Sequence, residues 1–285
     1  VDKSTLLKKI QERRSAHALS IETMELTVLE SVDSTNNYLR NNYLPNDYVY
    51  TSSRSDVTIV VSDTQTQGKG CFGRSWVSPP GINIYCSCQR TLAMPSHALA
   101  PLSLVVGLAV VKTLEEYSEG NKLYIKWPND ILYNQAKVAG ILIEMLNRPP
   151  GAVIIGVGIN VNMLENTLEN VDIISNITQP WSSLARITGR LFDREDIIAS
   201  LIDRLMRFLS EFEVHGFAFF LDQWHTYDIL FNKPLALRWV ESDVGQTDNI
   251  IRGIAKGVNA QGQLLIQKED GQLQAFSSGQ ASILK

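Results

Sequence analysis

Lys126-Trp127-Pro128-Asn129-Asp130-Ile131-Leu132-Tyr133-Asn134-Gln135-Ala136-Lys137-Val138-Ala139-Gly140-Ile141 decides how the middle of this chain is built. A strand over about 122–133 is interrupted at Pro128, because proline has no N–H to give a ladder. Asn134-Gln135 is a turn short enough for an antiparallel hairpin, so a second strand runs over 136–146. Arg148–Gly151 turns the chain again into a third strand over 151–162. The break at Pro128 aims Lys126, Asn129 and Asp130 into whatever the strand ends surround. The blander alternative is a β-bulge whose Asn and Asp satisfy their own backbone. Lys137 opens the second strand, and hairpin geometry places it beside the first.

Upstream, 3–14 reads as a short charged amphipathic helix and 24–32 as an alternating strand. Asp33-Ser34-Thr35-Asn36 offers N-caps for a helix over 35–43. Val57–Ser62 and Ile82–Cys88 read as strands, with a Gly-rich loop over 63–81 between them. The apolar run from about 97 to 117 predicts one long buried helix. Downstream, Trp181-Ser182-Ser183 opens a helical stretch and 194–214 is an amphipathic helix. Texture changes at Asn232-Lys233-Pro234, beyond which short strands at 235–240, 250–257, 262–268 and 272–276 predict a small β-barrel. The expected division is an N-terminal helical segment (1–23), a central domain (24–231) and a C-terminal domain (232–285).

The 285 residues suffice for a substantial core, and 44% hydrophobic with 20% charged content is that of a globular protein. A net charge of −4 gives no nucleic-acid-binding footprint, so no DNA partner is expected. Leu99–Val111 is too short to span a bilayer, and Val1-Asp2-Lys3-Ser4 lacks a signal-peptide pattern. Three cysteines do not make a disulfide framework, which points to a reducing cytoplasm, and the short apolar run leads to the expectation of no membrane. Cys86 and Cys88 face one side of a strand and read as core. His17, His97, His215 and His225 fall in no metal-ligand spacing, so no protein-held metal is expected.

Gly68-x-Gly70-x-x-Gly73 matches the dinucleotide-binding fingerprint by letter but not by context. Asp63–Gln67 separates the strand from the first glycine, and Pro79-Pro80-Gly81 follows where a helix should open. What remains is a loop whose backbone can approach a phosphate, carrying Lys69 and Arg74 to hold anionic oxygens and Trp76 to shield a ligand. A solvated surface loop is the alternative. Glycines at 156 and 158, in Gly156-Val157-Gly158-Ile159-Asn160, leave room for a ligand or another backbone.

These residues carry a resemblance. From about 30 to 285 the chain resembles biotin protein ligases, through Asp33-Ser34-Thr35-Asn36, Gln65-Thr66, the Gly68–Trp76 loop, Lys126–Asp130, Lys137-Val138-Ala139-Gly140-Ile141-Leu142-Ile143-Glu144 and Gly156–Asn160. The resemblance implies an α+β fold: a mixed, largely antiparallel central sheet with flanking helices, class II synthetase-like, plus an SH3-like barrel. It implies ATP and biotin as substrates with Mg2+ held mainly by substrate phosphates, and a biotin carboxyl carrier domain as protein partner. A homodimer is permitted. Biotin would be met by Ser34, Thr35, Asn36, Gln65, Gly68, Arg74, Trp76, Lys137 and Gly140. ATP and the adenylate would be met by Lys69, Arg74, Trp76, Lys126, Asn129, Lys137 and Asn160. The catalytic set would be Lys137, Arg74, Lys69 and Asp130. Two departures stand out. Cys71 occupies a place where the family usually carries Arg, and the residues before Asp33 are too few for the winged helix-turn-helix domain of the family's repressors. A lipoate–protein ligase of the same fold and a non-catalytic biotin-responsive regulator are the alternatives. The polar set Ser34–Asn36 with Gln65 favours biotin over lipoate.

Overall fold

The computed structural model describes residues 1–15, 24–43, 57–146, 151–165, 177, 179–240 and 248–284. Seven strands form the central sheet: β1 (Met24–Val32), β2 (Val57–Gln65), β3 (Ile84–Thr91), β4 (Tyr124–Lys126), β5 (Asp130–Tyr133), β6 (Ala136–Met145) and β7 (Ala152–Ile159). Their order is β1-β2-β3-β7-β6-β5-β4. β1 and β2 pair in parallel and every other neighbouring pair is antiparallel, as expected of a mixed, largely antiparallel sheet. The β5–β6 hairpin turns through Asn134 and Gln135, both at positive φ, which is the backbone hand that suits strand twist. Positions 148–150 of the next expected turn lie outside the described residues.

Side-chain alternation assigns the two faces. On β2, β3 and β7, Val57, Ile59, Val61, Ile84, Cys86, Cys88, Val153, Ile155 and Val157 join the main core. Val60 and Ile154 point the other way, to Leu39 of α2 (Thr35–Tyr43). Beneath the main face run α3 (Leu102–Glu115) and, after the single turn α4 (Leu184–Thr188), the long α5 (Arg194–His215). Helix α3 is apolar on nearly all sides because it is surrounded. Each fully buried Leu or Val there contributes roughly 1.5–3 kcal/mol relative to exposure. The run Ser96–Glu115 is long and apolar enough to cross a membrane, yet most of it is buried in this core. α1 (Lys3–Ser15) packs on α5 through Leu6 and Ile10, one turn apart, which places the expected N-terminal helix.

Several boundaries differ from expectation. The helix expected over 97–117 is two pieces, a 3-10 turn Ser96–Leu99 and α3, because Pro101 can cap a helix but not continue one. Pairing with β7 in the register Ile84↔Ile159 through Thr91↔Ala152 shifts β3 two to three residues beyond the Ile82–Cys88 estimate. β2 continues to Gln65 into the expected loop, carried by its ladder to β1. The aromatic stretch Phe217–Phe220 and α6 (Leu221–Tyr227) were not legible as helix.

The C-terminal strands β8 (Pro234–Val240), β9 (Asp248–Val258), β10 (Leu264–Gln267), β11 (Leu273–Phe276) and β12 (Gln280–Ile283) form an antiparallel sheet in the order β11-β10-β9-β8-β12. No pairing of β11 with β12 closes it among the described residues, so it is an open ladder rather than the expected closed barrel. Its apolar side (Leu235, Leu237, Ala255, Ile266) is continuous with the main core.

Candidate active site

Paired glycines make the floor. Gly140 of β6 sits opposite Gly158 of β7, and Leu142 opposite Gly156. A Cβ on Gly158 would come within 2.6 Å of the Trp76 ring, and one on Gly140 within 2.9 Å of both Trp76 and Lys137 Cε. A Cβ on Gly156 would meet Asn36 Oδ1 at 2.5 Å. The glycines expected to leave room for a ligand or another backbone therefore leave room for two side chains of the site itself.

Over this floor the Lys137 ammonium lies 2.6 Å from Asp130 Oδ1 and 5.1 Å from the Trp76 ring centroid. A register shift between Ile131 and Leu132 lets Asp130 face Gly140 while Leu132 faces Lys137, so ladder and ion pair coexist. The Lys137 backbone is clipped by Pro180 O and the Ser182 N–H, both at 2.9 Å. Asn160 Nδ2 donates to Ser182 O (3.0 Å) and Lys137 O (3.3 Å), which makes it a strut behind the lysine.

Lys126 lies half-buried opposite Asp130 across the β4–β5 pair. Burial pulls its pKa below the ordinary lysine value; Asp130 opposes the shift, and Lys137 and Arg74 add to it. The folded state then binds fewer protons than the unfolded one between the depressed value and the ordinary value of 10.5, so stability rises with pH across that window. Below it the full penalty applies. Lys126→Met is therefore expected to raise the melting temperature at neutral pH. A lower melting temperature in a thermal scan would show that attraction to Asp130 outweighs burial.

The glycine loop is a narrow hairpin. Trp76 N–H donates to Gly68 O (2.8 Å) and Gly70 N–H to Arg74 O (2.7 Å). A Cβ on Gly68 would sit 2.4 Å from Trp76 O, which requires glycine there. Cys71 turns inward: Asn129 Nδ2 lies 2.8 Å from its sulfur and also donates to Ile141 O at 2.8 Å. Burial pushes the Cys71 thiol above its ordinary value, so it stays protonated and neutral. Lys69 Nζ is held by Asn37 Oδ1 at 2.6 Å. The Trp76 Nε1 proton is buried with no partner among the described residues.

A polar chain lies on the other side of Trp76. Gln65 Oε1 accepts from Thr35 N (2.9 Å) and Thr35 Oγ1 (3.1 Å). Ser87 Oγ lies 2.7 Å from Thr35 Oγ1 and 2.6 Å from Asn36 Oδ1, one proton serving two acceptors. Asn36 Nδ2 donates to Glu144 Oε2 at 2.8 Å, and Glu144 is ion-paired with Arg40.

A cavity of about 40 Å³ is lined by Ser34, Thr35, Asn36, Gln65, Lys69, Trp76, Asn129, Lys137 and Gly140. It has room for little more than one water. A larger one of about 580 Å³ shares Gln65, Trp76 and Lys137 and adds Gly68, Arg74, Asn160 and Trp181. Lys126 and Asp130 line neither; Asp130 reaches the site through Lys137. Sequence reasoning missed Ser87, Glu144 and Trp181. The alternation Cys86-Ser87-Cys88 signals that Ser87 faces away from the two core thiols, but not what it meets. Trp181 carries the Arg186 guanidinium 4.4 Å from its ring centroid.

Residues 9–160 match the biotin/lipoate A/B protein ligase family, and residues 244–284 match the biotin protein ligase C terminal domain. The bifunctional ligase/repressor BirA of Escherichia coli is 33% identical over 258 residues, covering 90% of this chain and 74% of that protein. The biotin–[acetyl-CoA-carboxylase] ligase of Paracoccus denitrificans is 30% identical over 217 residues, covering 74% of this chain and 85% of its own. Among solved structures, the biotin protein ligase from Aquifex aeolicus in complex with biotin and ATP is similar at a TM-score of 0.70 and 28% identity, covering 92% of this chain and 99% of that one.

Proposed function

The chain belongs to the biotin/lipoate A/B protein ligase family, and from that premise we propose that it is a biotin protein ligase. It joins the biotin carboxylate to the α-phosphate of ATP, releasing pyrophosphate. A lysine of a carboxyl carrier domain then attacks the acyl carbon of biotinyl-5′-AMP, forming the amide and releasing AMP. The observation that carries this reading is the Lys137 ammonium, almost buried, between a polar pocket on one side and the larger cavity on the other.

The first step brings one anion onto another, so it needs cations fixed in advance at low dielectric. Lys137 bridges the carboxylate and the α-phosphate, and Arg74 and Lys69, which line the cavities, hold phosphate oxygens, with Lys126 assisting from outside them. The ureido ring of biotin needs paired donors and acceptors, which Ser34, Thr35 and Gln65 provide; lipoate offers no partner for them. Asn36, tied to Glu144 and Ser87, keeps that pocket in shape. The small cavity cannot hold biotin beside the observed Trp76, so Trp76 moves as the ligand enters. Its unpartnered indole N–H then gains an acceptor. The adenylate moiety takes the larger cavity, where Asn160 and Trp181 stand. Magnesium enters as part of the Mg·ATP substrate, held mainly by its phosphates. When Lys137 turns to substrate, Asp130 is released to orient the incoming lysine and take its proton.

On this reading residues 24–231 are the catalytic domain of a cytoplasmic enzyme, and 232–285 are an SH3-like domain whose ladder stays open between β11 and β12. The test is the intact mass of an apo carrier domain after incubation with ATP and either biotin or lipoate. Gain of one biotinyl group supports the proposal; gain of lipoyl, or no gain, overturns it.

Cys71 bears on how the adenylate is kept. Its neutral sulfur pins the loop to Asn129 where an Arg would offer charge. Retention then falls to Lys69, Arg74 and backbone amides. Enzyme mixed with biotin, ATP and albumin, without carrier, is expected to leave albumin unlabelled; appreciable labelling would show that the intermediate escapes.

A further inference from the structure

Phe72, at the tip of the glycine loop, carries two costs that no packing among the described residues offsets. The residue is 61% exposed, although burial is where an aromatic gains most. Its backbone is left-handed (φ 58°, ψ 37°), a conformation disfavoured for any residue with a Cβ and rare for a bulky one.

The tip is not slack. Gly73 is also left-handed, Arg74 N–H and Nε donate to Cys71 O at 3.3 and 3.2 Å, and Gly70 N–H closes onto Arg74 O. Cys71 is pinned into the site by Asn129, and the next side chain is thereby held out of it. Gly70, Cys71 and Arg74 line the larger cavity; Phe72 lines neither cavity. The Arg74 guanidinium lies 6.0 Å from the Phe72 ring centroid, so an apolar face and a cation stand together on the rim. Strain held by hydrogen bonds and directed outward is what a recognition element shows.

We propose that Phe72 is a docking contact for the folded protein that bears the acceptor lysine. This rests on the biotin ligase reading. Biotin and ATP occupy the cavities, which Phe72 does not line. The acceptor differs, because it remains a folded protein while one side chain reaches in toward Lys137. Its surface must then rest on the rim, where the loop tip projects. Phe72 packs on the acceptor's apolar surface beside its lysine, with Arg74 alongside for acidic neighbours.

Phe72→Asn tests this, because asparagine tolerates the left-handed backbone and lacks the ring; Phe72→Tyr keeps the ring. Biotin-dependent ATP–pyrophosphate exchange reads the first step. Transfer from enzyme preloaded with adenylate to increasing apo carrier domain reads the second. Hydroxylamine, a nucleophile too small to need docking, is the control. Phe72→Asn is expected to exchange within twofold of the parent and to react equally with hydroxylamine. Its KM for the carrier domain is expected to rise about tenfold, the scale of one buried aromatic contact at an interface. Phe72→Tyr is expected to restore it. An unchanged carrier KM overturns the proposal. So does a parallel fall in exchange or faster adenylate release, either of which would make Phe72 a cover for the ligand. Absence of exchange in the parent protein overturns the biotin ligase reading and this proposal with it, and is seen before any carrier is added.

Discussion

Lys137→Ala is expected to lower biotin-dependent adenylation by about a hundredfold or more, comparable with losing one oxyanion-type donor. Its ammonium is the charge shared by both cavities, almost buried, and held to Asp130 at 2.6 Å. On the proposed reading it neutralises charge on two reacting groups at once in the transition state, and no solvent dipole replaces it at that depth. The loss should therefore fall on kcat as well as on kcat/KM. The variant also leaves a carboxylate unpaired in a mostly buried place, so it should be less stable. Exchange rates must be normalised to the folded fraction read by circular dichroism. Lys137→Arg, which keeps charge but not shape, should recover only part of the activity. Near-normal pyrophosphate exchange by folded Lys137→Ala would remove Lys137 from the chemistry.

Asp130→Asn is expected to slow transfer to the carrier by roughly a hundredfold, within the range for losing a general base. Adenylation should fall less, about tenfold, because Lys137 keeps its charge and loses only its orientation. Two effects separate here. Without the carboxylate, the repulsion of Lys126 by Lys137 and Arg74 loses its counterweight. Added ATP should then bind as well or better even as turnover drops. The double variant Lys137→Ala with Asp130→Asn should adenylate no worse than Lys137→Ala alone, since the pair acts as a unit. Single-turnover transfer from preformed adenylate is the deciding measurement. Equal slowing of both half-reactions would confine Asp130 to holding Lys137.

The elements that repeat over a few residues were legible in the sequence. β1 and α2 fall on the expected residues, and the β4–β5–β6 hairpins fall within two residues of expectation, because alternation, caps and turns act over short range. Lys126-Trp127-Pro128-Asn129-Asp130 and Lys137 were singled out because a broken strand and a tight turn bring them together without help from elsewhere. Ends that depend on a partner strand, such as those of β2 and β3, moved.

What only the tertiary structure decided is who meets whom across the sheet. The pairing of β3 with β7 joins strands far apart in the chain. It sets Ser87 against Thr35 and Asn36, and Glu144 against Asn36. Gly156 and Gly158 spoke locally of empty space, and the space belongs to Asn36 and Trp76. Asn129 and Asn160 were expected to meet the nucleotide and are observed spending their amides on backbone oxygens of the site. An amide side chain takes whichever partner the fold brings first, and that partner is fixed by strand register. The motif residues and their chemistry were thus local information. Which of them face the ligand and which support the others follows from pairings that no short stretch contains.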